Sequence, residues 1–124
     1  MPPLRSATRL FAAAATALVC FAAQAQAQTY PANKITLIVG FAPGGLADTL
    51  ARLIGQGLTE RLHQTVVVEN RGGAGGNIAA GLVARAAPDG YTLLATTTAL
   101  AINETLHENN PFSRTDLAAI AIPA

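Results

Sequence analysis

Short apolar runs rich in β-branched residues alternate with stretches of helical spacing, and that alternation leaves few folds open to this chain. Lys34–Phe41 (KITLIVGF) reads as a strand buried on both faces, and Thr65–Glu69 (TVVVE) as a second buried strand. Tyr91–Ala95 (YTLLA) reads as a third. Between the first two, Leu46, Leu50, Leu53, Ile54, Leu58 and Leu62 recur at helical spacing, with Arg52, Gln56, Glu60 and Arg61 among them, the pattern of an amphipathic helix. Ile78, Leu82, Val83 and Ala86 predict a second helix, ended by Pro88-Asp89-Gly90, and Ala99–His107 a third. Asn109-Asn110-Pro111 is a loop, and Leu117–Ile122 has the composition of a fourth strand. Strands joined by crossovers of helix length pair in parallel, and such crossovers are right-handed. The expected class is an α/β fold with an open parallel sheet.

The amino terminus carries a different signal. Arg5 and Arg9 form a positive segment, Leu10–Ala23 is an almost unbroken apolar run, and Ala25-Gln26-Ala27 is a small-x-small cleavage pattern. The apolar run is shorter than the roughly 20 residues of a membrane-spanning helix. Residues 1–27 are therefore expected to be a cleavable signal peptide, with Ala23-Gln24-Ala25 as a second acceptable site, and the mature protein to be periplasmic. Cys20, the single cysteine, leaves with the signal, so no disulfide supports the remainder. Removing Arg5 and Arg9 leaves six basic residues against seven acids, a net charge of −1. No basic patch argues for nucleic acid. The length after Ala27 suits one small domain.

Ligands of open parallel sheets sit at the carboxyl ends of the strands. Three loops fall there: Phe41–Gly45 ahead of the first helix, Asn70–Asn77 ahead of the second, and Thr96-Thr97-Thr98 after the third strand. Two are glycine-rich and lead into helix N-termini, which offer unpaired N–H groups and the positive end of a helix dipole to an anion. The threonines add neutral hydroxyl donors. A small carboxylate or phosphate fits such a site. Each feature also has a purely structural explanation. Gly44-Gly45 makes a strand-to-helix turn, and the threonines suit a strand end. Asp48 complements the dipole of its helix or bonds the N–H groups of its own loop, or meets a ligand amine. Arg71 is a ligand partner, a solvated side chain or a partner for Glu69.

Other chemistry finds little support. The glycine loop is not GxGxxG, because the third glycine position holds Ile78, and no GxxxxGK[ST] occurs. Ser113 is the only serine after the signal, so no GxSxG nucleophile exists. His63 and His107 lack metal-ligand spacing; His63 sits at a helix end, where it suits the last carbonyls. No catalytic residues, cofactor or metal are expected.

At these residues a family resemblance appears. Tyr30-Pro31, Ile35–Val39, Phe41-Ala-Pro-Gly-Gly-x-x-Asp48 and Ala51-Arg52 resemble the opening of the Bug family, the extracytoplasmic solute receptors of the tripartite tricarboxylate transporter system. The likeness continues through Val66–Arg71, Gly73–Asn77 and Ala87–Leu94. It implies a two-lobed type II periplasmic-binding fold that closes on a small carboxylate, held by backbone donors and ordered waters and passed to the membrane components of the transporter. The candidate ligand-binding residues are Phe41, Ala42, Pro43, Gly44, Gly45 and Asp48 in the first loop; Asn70, Gly73, Ala74, Gly75, Gly76 and Asn77 in the second; and Thr96 and Thr97 in the third. Ala79 stands where the family usually has glycine. Residues 28–124 correspond to part of the first lobe only, so the expectation is an amino-terminal portion of a receptor. A small secreted α/β enzyme acting on an acidic substrate, and a non-functional remnant, are the competing readings.

Overall fold

A computed structural model describes residues 29–106 and 110–122; the signal segment and His107 lie outside them. The element order is β1 (Ile35–Val39), α1 (Leu46–Leu62), β2 (Val66–Asn70), a 3-10 turn (Ala74–Gly76), α2 (Asn77–Ala84), β3 (Thr92–Ala95), α3 (Ala99–Leu106) and a second 3-10 turn (Arg114–Asp116). The sheet runs β2-β1-β3, all parallel. Ile35 pairs with Val66 and Thr36 with Thr92.

Every β-α-β step crosses in one hand, so reversing the direction of travel reverses the face used. The chain steps outward from β1 to β2, then back past β1 to β3, which puts α1 and α2 on opposite faces. Side-chain alternation along β1 agrees. Leu37 and Val39 cluster with Ala51 of α1. On the other face, a Cβ at Gly40 would lie 3.5 Å from the Ala79 Cβ of α2. The central strand is accordingly the most buried, with Ile35, Leu37, Ile38 and Val39 all inaccessible. The small side chains of Ala79 and Ala80, both buried, let α2 sit close to the sheet.

Three expectations need correction. The second strand is half-buried throughout rather than buried, because it lies at the sheet edge with one neighbour. Most of the leucine stripe of α1 does not face the sheet: Leu46, Leu50, Leu53 and Ile54 are exposed, and only Leu58 and Leu62 are half-buried. Asp48, Ala51 and Gly55 are its buried residues, whereas Leu46 is 78% exposed and Leu53 62%. Close approach decides this: a Cβ on Gly55 would already be 3.3 Å from Val68 Cγ2, so only the small-residue face fits against β2. Residues 117–122 form no strand. The run has strand composition, but a strand exists only when a neighbour completes its hydrogen bonds, and Leu117–Ile122 pairs with none of the three. Ile122 is 93% exposed. Ahead of it, the Ser113 hydroxyl and the Asp116 carboxylate cap the second 3-10 turn reciprocally.

Candidate functional site

The strand order places the reversal point between β1 and β3, at their carboxyl ends, and there an open α/β sheet leaves a crevice. The loops following β1, β2 and β3 all converge on it. They pack closely: a Cβ on Gly40 would lie 3.1 Å from the Gly76 Cα, and Gly40 donates its N–H to the Ala95 carbonyl at 3.4 Å.

The first loop is tied down by Asp48, which is only 4% exposed in the first turn of α1. Its Oδ2 accepts the Gly44 N–H at 2.9 Å and Arg52 Nε at 3.0 Å. Its Oδ1 takes the Asn70 amide at 2.9 Å and lies 3.0 Å from Arg52 Nη2. Asp48 thus bonds its own loop, and the Gly44 N–H is committed internally. The Arg52 hydrogen bond, then the Gly44 N–H and the Asn70 amide, hold the carboxyl down to about 2, against the opposing effect of burial. Asn70 also donates to the Phe41 carbonyl at 3.2 Å, clamping the end of β2 to the loop after β1. Gly45 is the N-cap of α1, and its carbonyl accepts the Thr49 N–H and hydroxyl.

The second loop runs through four consecutive positive φ angles: Gly73 (133°), Ala74 (47°), Gly75 (64°) and Gly76 (97°). Glycine makes this conformation available, and Ala74 is the single member with a Cβ to strain. Arg71 pairs with Glu69 at 3.0 Å, the third of its possible roles. In the third loop, Thr97 Oγ1 accepts the Ala99 N–H at 3.2 Å at the start of α3. Among the described residues the buried Thr96 hydroxyl meets no hydrogen-bond partner, and it lies 3.8 Å from where a Gly76 Cβ would stand.

Sequence reasoning missed Asn103. It is buried on α3, and its amide donates to the Gly75 carbonyl at 3.0 Å and to Asn77 Oδ1 at 2.8 Å. Asn77 donates in turn to Asn110 Oδ1 at 3.0 Å, and the Asn110 amide returns to the Asn103 carbonyl at 3.0 Å. The available signal was an amide directly after the apolar Ala99–Ile102 stretch, four residues after the start of a helix expected to bury one face.

An open depression of about 570 Å³ is lined by Phe41–Ala47 and Thr97, joining the first and third loops. It has room for a small carboxylate but forms one wall around it. A second, of about 440 Å³, lies between α1 and the edge strand β2, lined by Arg52, Gln56, Glu60, Val66 and Val68 among others. Among the described residues no group of His, Cys, Asp and Glu is placed to hold a metal ion, and no helix is long and apolar enough to cross a membrane.

Residues 50–123 match the tripartite tricarboxylate transporter family receptor model. A UPF0065 protein of Bordetella pertussis is 42% identical over 109 residues, covering 87% of this chain and 34% of that protein. The chain thus spans about a third of the length of this relative. A solved periplasmic transporter superposes with a TM-score of 0.64 at 49% identity, over 67% of this chain and 28% of the other. Two Rhodopseudomonas palustris proteins are similar over 52% of this chain and 22% of theirs: MatC with bound malate (TM-score 0.51, 49% identity) and one with adipate (TM-score 0.52, 48% identity).

Proposed function

The chain belongs to the tripartite tricarboxylate transporter receptor family, and from that premise we propose that it supplies carboxylate-binding loops to a periplasmic receptor for small organic acids. The carrying observation is the convergence of two glycine-rich loops, each opening a helix, at the β1/β3 reversal point. Helix N-termini there favour negative charge without a balancing cation. The ligand-binding set comprises the loops 41–48, 70–77 and 96–97, in which Asp48 and Asn70 hold the first loop in shape while the second and third present donors. Malate and adipate bound to R. palustris proteins of 49% and 48% identity support the substrate class. A signal peptide over residues 1–27, delivery to the periplasm and docking to the transporter's membrane components complete the reading.

Catalysis fits poorly with the same geometry. Asp48 is the only acid in these loops, and a general acid or base works best with a pKa near the working pH. Its partners hold it at about 2 instead.

Titration of the full chain with malate, adipate and the uncharged diamide of malate, followed by NMR of the backbone amides, tests the site. Shifts for both acids confined to residues 40–48, 72–77 and 96–98, with none for the diamide, are expected. Shifts centred on the β2 edge groove, or no response at tens of millimolar, would refute it. N-terminal sequencing of exported protein is expected to begin at Gln28; an intact Met1 would refute the signal.

A further inference from the structure

We propose that Asn103 is the positioning residue that keeps the Gly73–Asn77 loop receptive to anions, acting through Gly75 and Asn77 without touching the ligand. The proposal rests on the carboxylate-binding reading of that loop. An anion is repelled by any carbonyl or amide oxygen turned toward it, so a receptive loop must bury its acceptors as well as display its donors. Four acceptors of this segment are bonded inside the protein. Gly73 O takes the Gly76 N–H at 3.0 Å, and Ala74 O takes the Asn77 N–H. The other two, Gly75 O and Asn77 Oδ1, both go to the single Asn103 amide.

An amide nitrogen has two hydrogens, and both are used here. The reverse orientation of the Asn103 amide would set its oxygen against two acceptors and make neither bond, so the network fixes the assignment. The contact is also tight: a Cβ on Gly75 would come within 2.9 Å of Asn103 Nδ2. Asn103 is held in turn through its own carbonyl, which accepts the Asn110 amide, while Asn110 receives the Asn77 amide. The ring Asn103–Asn77–Asn110 therefore joins α3, the start of α2 and the segment after α3. A Cβ on Gly81 of α2 would meet Pro111 at 2.9 Å, so that segment is packed against α2 beside the ring.

The test compares wild type, Asn103→Asp and Asn103→Ser by NMR titration of the full chain with malate at pH 8 and pH 5.5. Each variant is read as a ratio to wild type at the same pH, which cancels the ionisation of malate; Glu104, next along α3, and Arg85, which reaches the Pro111 carbonyl, are the same in all three proteins. Asp has the shape of Asn but, when ionised, offers two acceptors no hydrogen and sets a negative charge behind the loop. Asn103→Asp is expected to bind malate about tenfold more weakly than wild type at pH 8. A buried carboxyl facing acceptors titrates above the ordinary range, and its protonated form donates again, so at pH 5.5 most of that deficit should close. Asn103→Ser replaces the two amide hydrogens with one shorter hydroxyl and does not titrate, so its deficit should be the same at both pH values. A pH-independent deficit in both variants would reduce Asn103 to a packing role and overturn the proposal. So would wild-type affinity in Asn103→Asp, or in a folded Asn103→Ser should the Asp variant not fold. No malate response in wild type would overturn the binding reading, and this proposal with it.

Discussion

Asn70 Nδ2 lies 2.9 Å from Asp48 Oδ1, joining the last residue of β2 to the first turn of α1 across 22 positions of sequence. This pair ties the loops after β1 and β2 together. Arg52 completes the arrangement, reaching both Asp48 and, at 3.3 Å, Asn70 Oδ1.

The pair predicts an acid response. Asp48 is lowered from an ordinary 3.8 to about 2 in the folded protein. A carboxyl depressed by folding stabilises the native state in full above its unfolded pKa, and that contribution fades as pH falls through the folded value. Wild type should therefore lose stability relative to Asp48→Asn between about pH 4 and pH 2. Urea melts across that range check it; parallel profiles would show that the native interactions of Asp48 do not depend on its charge.

Three loop glycines should rank in a set order when changed to alanine. Gly45 has φ −82° and its nearest Cβ neighbour at 3.6 Å, so the change should cost well under 1 kcal/mol. Gly44 has φ +81° but open space, and should cost about 1–2 kcal/mol for the left-handed backbone alone. Gly75 combines φ +64° with the 2.9 Å approach to Asn103 and should cost more than Gly44. Denaturant midpoints giving Gly44 the larger loss would contradict the geometry of the second loop.

Two glycines of α1 should diverge. Gly57 meets nothing within 4 Å, so Gly57→Ala should stabilise by about 0.5–1 kcal/mol through helix propensity. Gly55 faces Val66 and Val68, and Gly55→Leu should destabilise by about 1–3 kcal/mol from overpacking. Thermal melts in which Gly55→Leu gains stability would mean that the helix packs through its leucine stripe after all.

The same helix orientation sets a contrast between apolar residues. Leu53→Gln should change stability by no more than about 0.5 kcal/mol, because Leu53 is largely in solvent. Ile35→Ala, at a fully buried position, should cost about 2–5 kcal/mol. Comparable losses in chemical denaturation would place Leu53 in the core.

Much of the fold was legible in one dimension. Short β-branched runs, a helix bounded by Gly45 and Leu62, and the Pro88-Asp89-Gly90 stop depend on local backbone preference, which acts over a few residues. The glycine-rich loop between β2 and α2 was legible for the same reason. The direction α1 faces was not legible, because an apolar stripe signals only a wish for burial. Gly55 against Val68 is a steric fact that exists once helix and strand meet. Leu117–Ile122 failed similarly, since composition gives a strand its preference and only a neighbour gives it hydrogen bonds.

The site divides along the same line. Sequence determined which loops lie at the carboxyl ends of the strands, because the order of elements and the handedness of crossovers fix that. It also determined that those loops offer backbone donors, because glycine needs no partner to adopt its turns. Tertiary structure alone decided that Asp48 consumes the Gly44 N–H, that the Thr96 hydroxyl is buried, and that Asn103 takes Gly75 and Asn77. A hydrogen bond is set by distances within a few tenths of an ångström between groups tens of residues apart. Local preference fixes none of those distances; the packing of α1, α2 and α3 around one three-stranded sheet does.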